Sequence, residues 1–161
     1  MSVILTPVKD DIYIRWVCPK DIPEIVNIEW QSKENMWNEL DFKEILLSPN
    51  MIGLVGTKMS RIHSFVYFQL HKKFIAINNF VVHSDFRRKG YGSLMLDKLK
   101  SELEFWKRNY LVYYVRESNL AGHLFLQANG FKATEVDSEF FTDITAEKTT
   151  TEPGYRFEYH L

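Results

Sequence analysis

Arg87-Arg88-Lys89-Gly90-Tyr91-Gly92 gathers three cations and two glycines just ahead of a run with helical periodicity. The first turn of a helix carries unpaired N–H groups and a partial positive charge. Glycine lets a ligand approach the backbone, and nearby cations add attraction, so the combination suits a phosphate. Each such contact near the surface contributes only about 0.3–1 kcal/mol, so several amides must converge on one diphosphate. Alone, R-x-x-G-x-G also describes a solvated turn; its place between a strand and a helix favours the anion site. Two other glycine-rich loops are excluded. A dinucleotide loop needs G-x-G-x-x-G in a βαβ unit, and a Walker loop needs Gly-Lys-Ser/Thr. With Cys18 the lone cysteine and no histidine pair at i, i+4, no zinc site is expected.

The elements that must position this loop follow from hydrophobic period. Residues 1–10 carry no clear period and read as a short tail, leaving 11–161 as one domain. A strand is expected over 12–17. Asp21 and Glu24 have the spacing of a capping box for a first helix to about Trp30, and Phe42, Ile45 and Leu46 mark a short second helix. Residues 52–58, 62–71 and 74–82 are β-branched and aromatic runs separated by short polar turns, which predicts an antiparallel meander. Leu96, Leu99, Leu103 and Trp106 step by three and four along a long amphipathic helix. A fifth strand over 111–115, a helix over 119–128 closed by Asn129-Gly130, and strands over 131–136 and 155–160 complete the chain. The Thr- and Glu-rich stretch 137–153 reads as a polar, mobile loop.

Composition bounds the function. A chain of 161 residues with 45% apolar content builds its own core without staples, and 15% aromatic residues imply large rings in that core or along a cleft. Twenty basic residues against twenty-one acidic ones leave nothing global to attract nucleic acid or an anionic membrane. No signal peptide or membrane-spanning run is visible, and with a single cysteine the expectation is a reducing, cytoplasmic setting.

Strand, R-x-x-G-x-G, long helix, strand, then Asn119 followed eleven and twelve residues later by Gly130-Phe131, resembles the GNAT superfamily of acetyl-CoA-dependent N-acetyltransferases. Within it, Val115-Arg116-Glu117-Ser118-Asn119, Ala128-Asn129-Gly130-Phe131 and Trp37-Asn38-Glu39-Leu40-Asp41-Phe42 are most similar to RimI-like enzymes, which acetylate the N-terminal amine of a ribosomal protein. The resemblance implies an α/β (α+β) fold: a mixed, mostly antiparallel sheet of about seven strands, flanked by about four helices and splayed between its fourth and fifth strands. It implies that acetyl-CoA is the co-substrate, with no metal. Pantetheine would pair with the main chain of Phe80, Val81 and Val82. The pyrophosphate would rest on Arg87, Arg88, Lys89, Gly90, Tyr91, Gly92 and Ser93, and Asn119 would contact the pantetheine arm. The acceptor would be an amine, foremost a protein N-terminus, and the protein a monomer or homodimer.

The proton-moving positions depart from that pattern. Where RimI-like enzymes carry a strand Glu this chain has Tyr114, where they carry a helix Tyr it has Leu126, and a further aromatic place near the substrate reads Phe140-Phe141. A free phenol has a pKa of about 10 and makes a poor base. Tyr114 therefore either donates a hydrogen bond or fills the cleft wall, and Arg116, on the same strand face by period two, would favour its phenolate. His123, one turn before Leu126, either shuttles a proton or is a satisfied helix residue. Met36, Trp37 and His71 are candidate walls of the acceptor groove, Met36 and Trp37 alternatively forming a staple between helices. Glu29, Glu34 and Glu39 are candidates for holding the amine, or alternatively solvated residues on exposed helix faces. Two activities compete: an N-acetyltransferase acting on a protein N-terminus or a smaller amine, and an acyl-CoA-binding module without turnover.

Overall fold

β-Branched and aromatic runs make the strands, and the computed structural model, which describes residues 7–9, 11–32 and 36–161, joins them into one sheet. In chain order the elements are β1 (Pro7–Lys9), β2 (Ile12–Trp16), α1 (Ile22–Ser32), α2 (Glu39–Leu47), β3 (Met51–Lys58), β4 (Arg61–Leu70), β5 (Phe74–Val82), α3 (Tyr91–Phe105), β6 (Tyr110–Arg116), α4 (Leu120–Ala128), β7 (Lys132–Ile144) and β8 (Thr149–His160). The sheet order is β1-β2-β3-β4-β5-β6-β8-β7. Among the described strands only β5 and β6 run parallel, which demands the crossover that α3 supplies. The seven expected strands are β2 to β8, so the expected fourth and fifth are β5 and β6. Within the span read as a tail, Pro7–Lys9 adds a short strand on β2. Glu34 lies outside the described residues.

Helices cover both faces. α3 turns Met95, Leu96, Leu99 and Leu103 onto one face, all at 0% exposure, and burial of each contributes about 1.5–3 kcal/mol. Leu126 of α4 joins that cluster. On the other face α1 and α2 bury Ile22, Ile25, Ile28 and Phe42 against Phe65 and Tyr67 of β4.

β5 serves both faces because it contains a bulge. Phe68 of β4 pairs with Ile77, but Tyr67 pairs with Asn79, which leaves Asn78 as an extra residue. Side-chain alternation inverts there. Ile75 and Ile77 enter the cluster under α3, whereas Val81 enters the cluster under α1 and α2. Asn79, carried inward by the same inversion, donates its amide to Glu29.

Two local expectations are corrected. Asp21 and Glu24 do not cap α1 together. The Asp21 carboxylate takes the Cys18 N–H at 2.9 Å and both Arg15 Nη atoms at 2.7 and 2.8 Å, while Glu24 accepts from the Ile62 amide at 2.8 Å. Asp21 instead closes back on Cys18, and a full capping box stands at α2, where Asn38 accepts from the Leu40 and Asp41 amides and Asp41 accepts from the Asn38 N–H. The polar stretch 137–153 is not a loop: β7 and β8 run through it as a long antiparallel hairpin that pairs from Lys132↔Glu158 to Ile144↔Thr149. Threonine is a good strand former, so a two-sided polar ribbon accommodates this composition.

Candidate active site

The phosphate corner is built by backbone. After β5, a one-turn 3-10 helix over Ser84–Phe86 leads to Arg87, and Gly90 is the N-cap of α3 with φ +85°. The first intrahelical bond runs from the Leu94 N–H to the Gly90 carbonyl, so the amides of Tyr91, Gly92 and Ser93 precede it and remain available to an anion. Gly90 is required by its φ, since a Cβ there would meet nothing within 4 Å. Gly92 is required by space, since a Cβ would lie 3.0 Å from Phe125 Cζ. Tyr91 is buried: its ring packs 4.5 Å from His63 and its hydroxyl accepts from Lys58 Nζ at 2.9 Å. It anchors the helix start rather than facing a ligand. Arg87, Arg88 and Lys89 are exposed, with Arg87 Nε on the Val82 carbonyl and Lys89 Nζ on the Asp85 carbonyl.

Beside this corner the sheet splays. β5 and β6 pair from Phe74↔Tyr110 to Ile77↔Tyr113 and no further, although β4 stays paired with β5 as far as Val82. The edge of β5 from Asn78 onward therefore opens toward a gap, at Phe80, Val81 and Val82. Phe80 stacks on Phe125 at 5.8 Å, and Val81 is buried. Across the gap Asn119 caps α4, accepting from the Gly122 N–H at 2.9 Å. Asn119, Tyr114 and Asn78 line a small cavity of about 20 Å³ in the splay.

A larger cleft of about 560 Å³ opens on the α1/α2 side of the sheet. Phe74, Ala76 and Asn78 of β5 with Val112 and Tyr114 of β6 form its floor, and His71 and Gln69 border one end. The β7–β8 hairpin supplies Phe140, Phe141 and Arg156. The cleft and the small cavity share Asn78, Tyr114 and Phe141. These three residues stand where the two spaces meet.

Tyr114 lies under Phe140, the rings 4.0 Å apart and 5° from parallel. Burial pushes its phenol above the ordinary value, with Glu135, Asp137 and Glu158 adding to the rise and Arg156 opposing it. It is a hydrogen-bond donor at neutral pH. The expectation that Arg116 favours the phenolate is corrected by where that guanidinium goes: it forks onto Asp143 at 2.8 and 2.9 Å, meets Glu152 at 3.1 Å and covers the Phe141 ring at 4.5 Å. Arg116 ties down the hairpin. Arg156, facing Tyr114 across the β6–β8 pair, is held by Glu158 at 2.9 Å and Glu135 at 3.4 Å.

Other candidates lie elsewhere. His123 Nε2 donates to the Arg116 carbonyl at 2.9 Å, and its ring packs on Tyr155 and Phe157, so it is a satisfied helix residue outside the cleft. Leu126 is core. Trp37 packs edge-on against Phe42 and Tyr67 and accepts at its carbonyl from Trp30 Nε1, which makes it the staple between α1 and α2; Met36 is exposed beside it. Glu39 pairs with Lys43 at the surface. His71 does border the cleft, stacked on Phe74 at 4.4 Å. Sequence reasoning passed over Ala76, Gln69 and Arg156. It also gave no role to Asn78, whose signal was a doubled asparagine inside an apolar strand.

Solved structures share this architecture. The ribosomal-protein-S18-alanine N-acetyltransferase from Escherichia coli superposes with a TM-score of 0.79 at 21% identity, covering 92% of this chain and 93% of that one. Ard1 from Thermoplasma volcanium gives 0.81 at 19% identity, covering 94% and 98%. The PaiA N-acetyltransferase from Thermoplasma acidophilum, in complex with coenzyme A, gives 0.75 at 13% identity, covering 93% and 99%. No curated protein matches the chain. The model of the acetyltransferase (GNAT) family matches residues 22–131, a span that holds the phosphate corner, the splay and the floor of the cleft, and the chain belongs to that family.

Proposed function

We propose that the chain transfers the acetyl group of acetyl-CoA directly to the α-amine of a peptide or protein N-terminus. The observation that carries this reading is the meeting of splay and cleft at Asn78 and Tyr114. A thioester entering from the phosphate side and an amine entering from the open side reach each other there. The amides of Tyr91, Gly92 and Ser93 fit a pyrophosphate, and the unpaired edge of β5 fits the amide-bearing pantetheine arm as an added strand. The name of the Escherichia coli neighbour, which acetylates an alanine nitrogen of a ribosomal protein, is consistent with a protein acceptor.

In this reading the amine nitrogen attacks the thioester carbonyl carbon, a C–N bond forms, and the carbonyl oxygen becomes an oxyanion. The oxyanion then collapses, the C–S bond breaks, and the leaving thiolate takes a proton from water in the cleft. Tyr114, kept neutral, donates a hydrogen bond to the developing negative charge, and the amine's proton passes to water in the open cleft. Juxtaposition of the reactants supplies much of the acceleration. The test is purified protein with acetyl-CoA and a panel of N-terminal peptides, polyamines and amino acids, scored by thiol release and by mass spectrometry of the modified nitrogen. No release above background with any acceptor would sink the reading.

A second reading, a CoA-binding module without turnover, is favoured by Leu126 being sealed in the core and Tyr114 lacking the character of a base. It expects tight CoA binding and no product at any pH.

A further inference from the structure

The floor of the cleft has a definite order. Along β5, Phe74, Ala76 and Asn78 follow one another on the cleft side, and two strand residues span about 7 Å. Asn78 and Tyr114 mark the reacting end, so a group attached next to the amine lies over Ala76 and Val112. One further step along the strand the ring of Phe74 closes the slot, backed by His71 at 4.4 Å and Tyr110 at 5.3 Å. Phe140 and Phe141 stand on the hairpin side, their centroids 4.9 Å apart. The slot is therefore floored by a methyl group and a small branched side chain, and bounded by rings.

Net charge is balanced in it. Arg156 lines the cleft with its two Nη atoms on Glu158 and Glu135, which offset its charge, although its Nε keeps no partner; His71 borders the far end. An acidic substituent meets a guanidinium already faced by two carboxylates, and a basic one meets no carboxylate among the lining residues. A large apolar group gains most, because it removes ring and methyl surface from water.

Resting on the reading of an amine acceptor, we infer that the slot over Ala76 selects amines carrying a large apolar or aromatic substituent on the adjacent carbon. For a peptide acceptor this is the side chain of the first residue, and Ala76 sets the depth available to it. The rest of the peptide runs out of the open cleft into solvent.

The experiment separates this inference from the reading it rests on. Full-length protein saturated with coenzyme A is titrated, by NMR, with tetrapeptides differing only at the first residue: Gly, Ser, Asp, Met or Phe. Met and Phe peptides are expected to bind at least about 10-fold more tightly than Gly and Asp peptides. Ala76→Leu fills the slot and is expected to remove that preference, with coenzyme A binding within about twofold of the parent. Ala76→Val, a smaller fill, is expected to remove part of it and keeps the test open where Leu disrupts folding. Equal affinity across the panel overturns the inference, as does tighter binding of Gly, Ser or Asp, or a preference that survives both substitutions. Preference without acetyl transfer overturns only the proposed reaction. Transfer without preference overturns only the slot.

Discussion

Asn79 donates its side-chain amide to a carboxylate oxygen of Glu29 across 2.9 Å, with both side chains fully buried. The bond joins α1 to β5 one residue beyond the bulge, so it holds the strand in the register that presents Asn78 to the cleft. Asn79→Ala takes a donor from a buried carboxylate, at a cost of about 1–3 kcal/mol. Urea unfolding should show a lower midpoint at unchanged slope.

Tyr114→Phe keeps the ring under Phe140 and removes the hydroxyl. If the phenol donates to the developing charge, kcat falls by about 100-fold, while the KM for acetyl-CoA stays within about twofold. The fold should be unaffected, since the stack survives. Steady-state thiol release on both proteins reads kcat and KM, and thermal unfolding reads the fold.

Gly90→Ala and Gly92→Ala test different physical demands at one corner. Alanine at φ +85° carries strain of about 1–2 kcal/mol with no clash, so Gly90→Ala weakens coenzyme A binding through the shape of the loop. At Gly92 the new methyl presses on Phe125, which also stacks on Phe80. Both variants therefore lose stability as well as affinity, Gly92→Ala through about 1–3 kcal/mol of overpacking. Calorimetric titration and thermal unfolding read the two losses.

His63 makes stability depend on pH. Burial, with Lys58 adding, lowers its pKa from 6.5 to about 4. Below pH 6.5 the unfolded chain takes a proton that the folded chain refuses, so stability falls as the pH drops from about 6.5 to about 4. The loss attributable to this group reaches about 3 kcal/mol at the bottom of the window. A His63→Gln variant should show a flatter profile over that range in urea titrations at fixed pH.

Asp21 acts in a lower window. Burial pushes its carboxyl up, but hydrogen bonds from Arg15 and the Cys18 amide outweigh it, and the net pKa lies below 3.8. The folded state therefore gains from this group above about pH 4 and loses that gain as the pH falls further. Asp21→Asn should be less stable than the parent at pH 7, with the gap closing below pH 4.

Much of this is legible in the sequence. Leu96, Leu99 and Leu103 marked the buried face of α3, the three runs of the meander became β3 to β5, and the strand-to-helix glycine corner stands where its spacing placed it. What escaped depends on partners far along the chain. Glu29 looked like a surface acid because the amide that meets it is fifty residues away. The β7–β8 hairpin is exposed along nearly all of β7, so neither face carries the apolar alternation that reveals a strand. His123 looked available until Arg116 presented a carbonyl to its ring. The bulge has no compositional sign beyond two adjacent asparagines.

That bulge has a consequence for length as well as for side chains. A deletion of Asn78 alone would remove one residue from β5 and leave Phe74 to Ile77 paired as they are. Tyr67↔Asn79 would then follow Phe68↔Ile77 with nothing between them, so Phe80 would stay on Phe125 and Asn79 on Glu29, and the only loss would be the extra residue over the cleft. The strand is one residue longer than its neighbour needs, and that surplus residue is one of the three shared by the cleft and the small cavity, so a deletion that keeps every other pairing would still change the place where the two spaces meet.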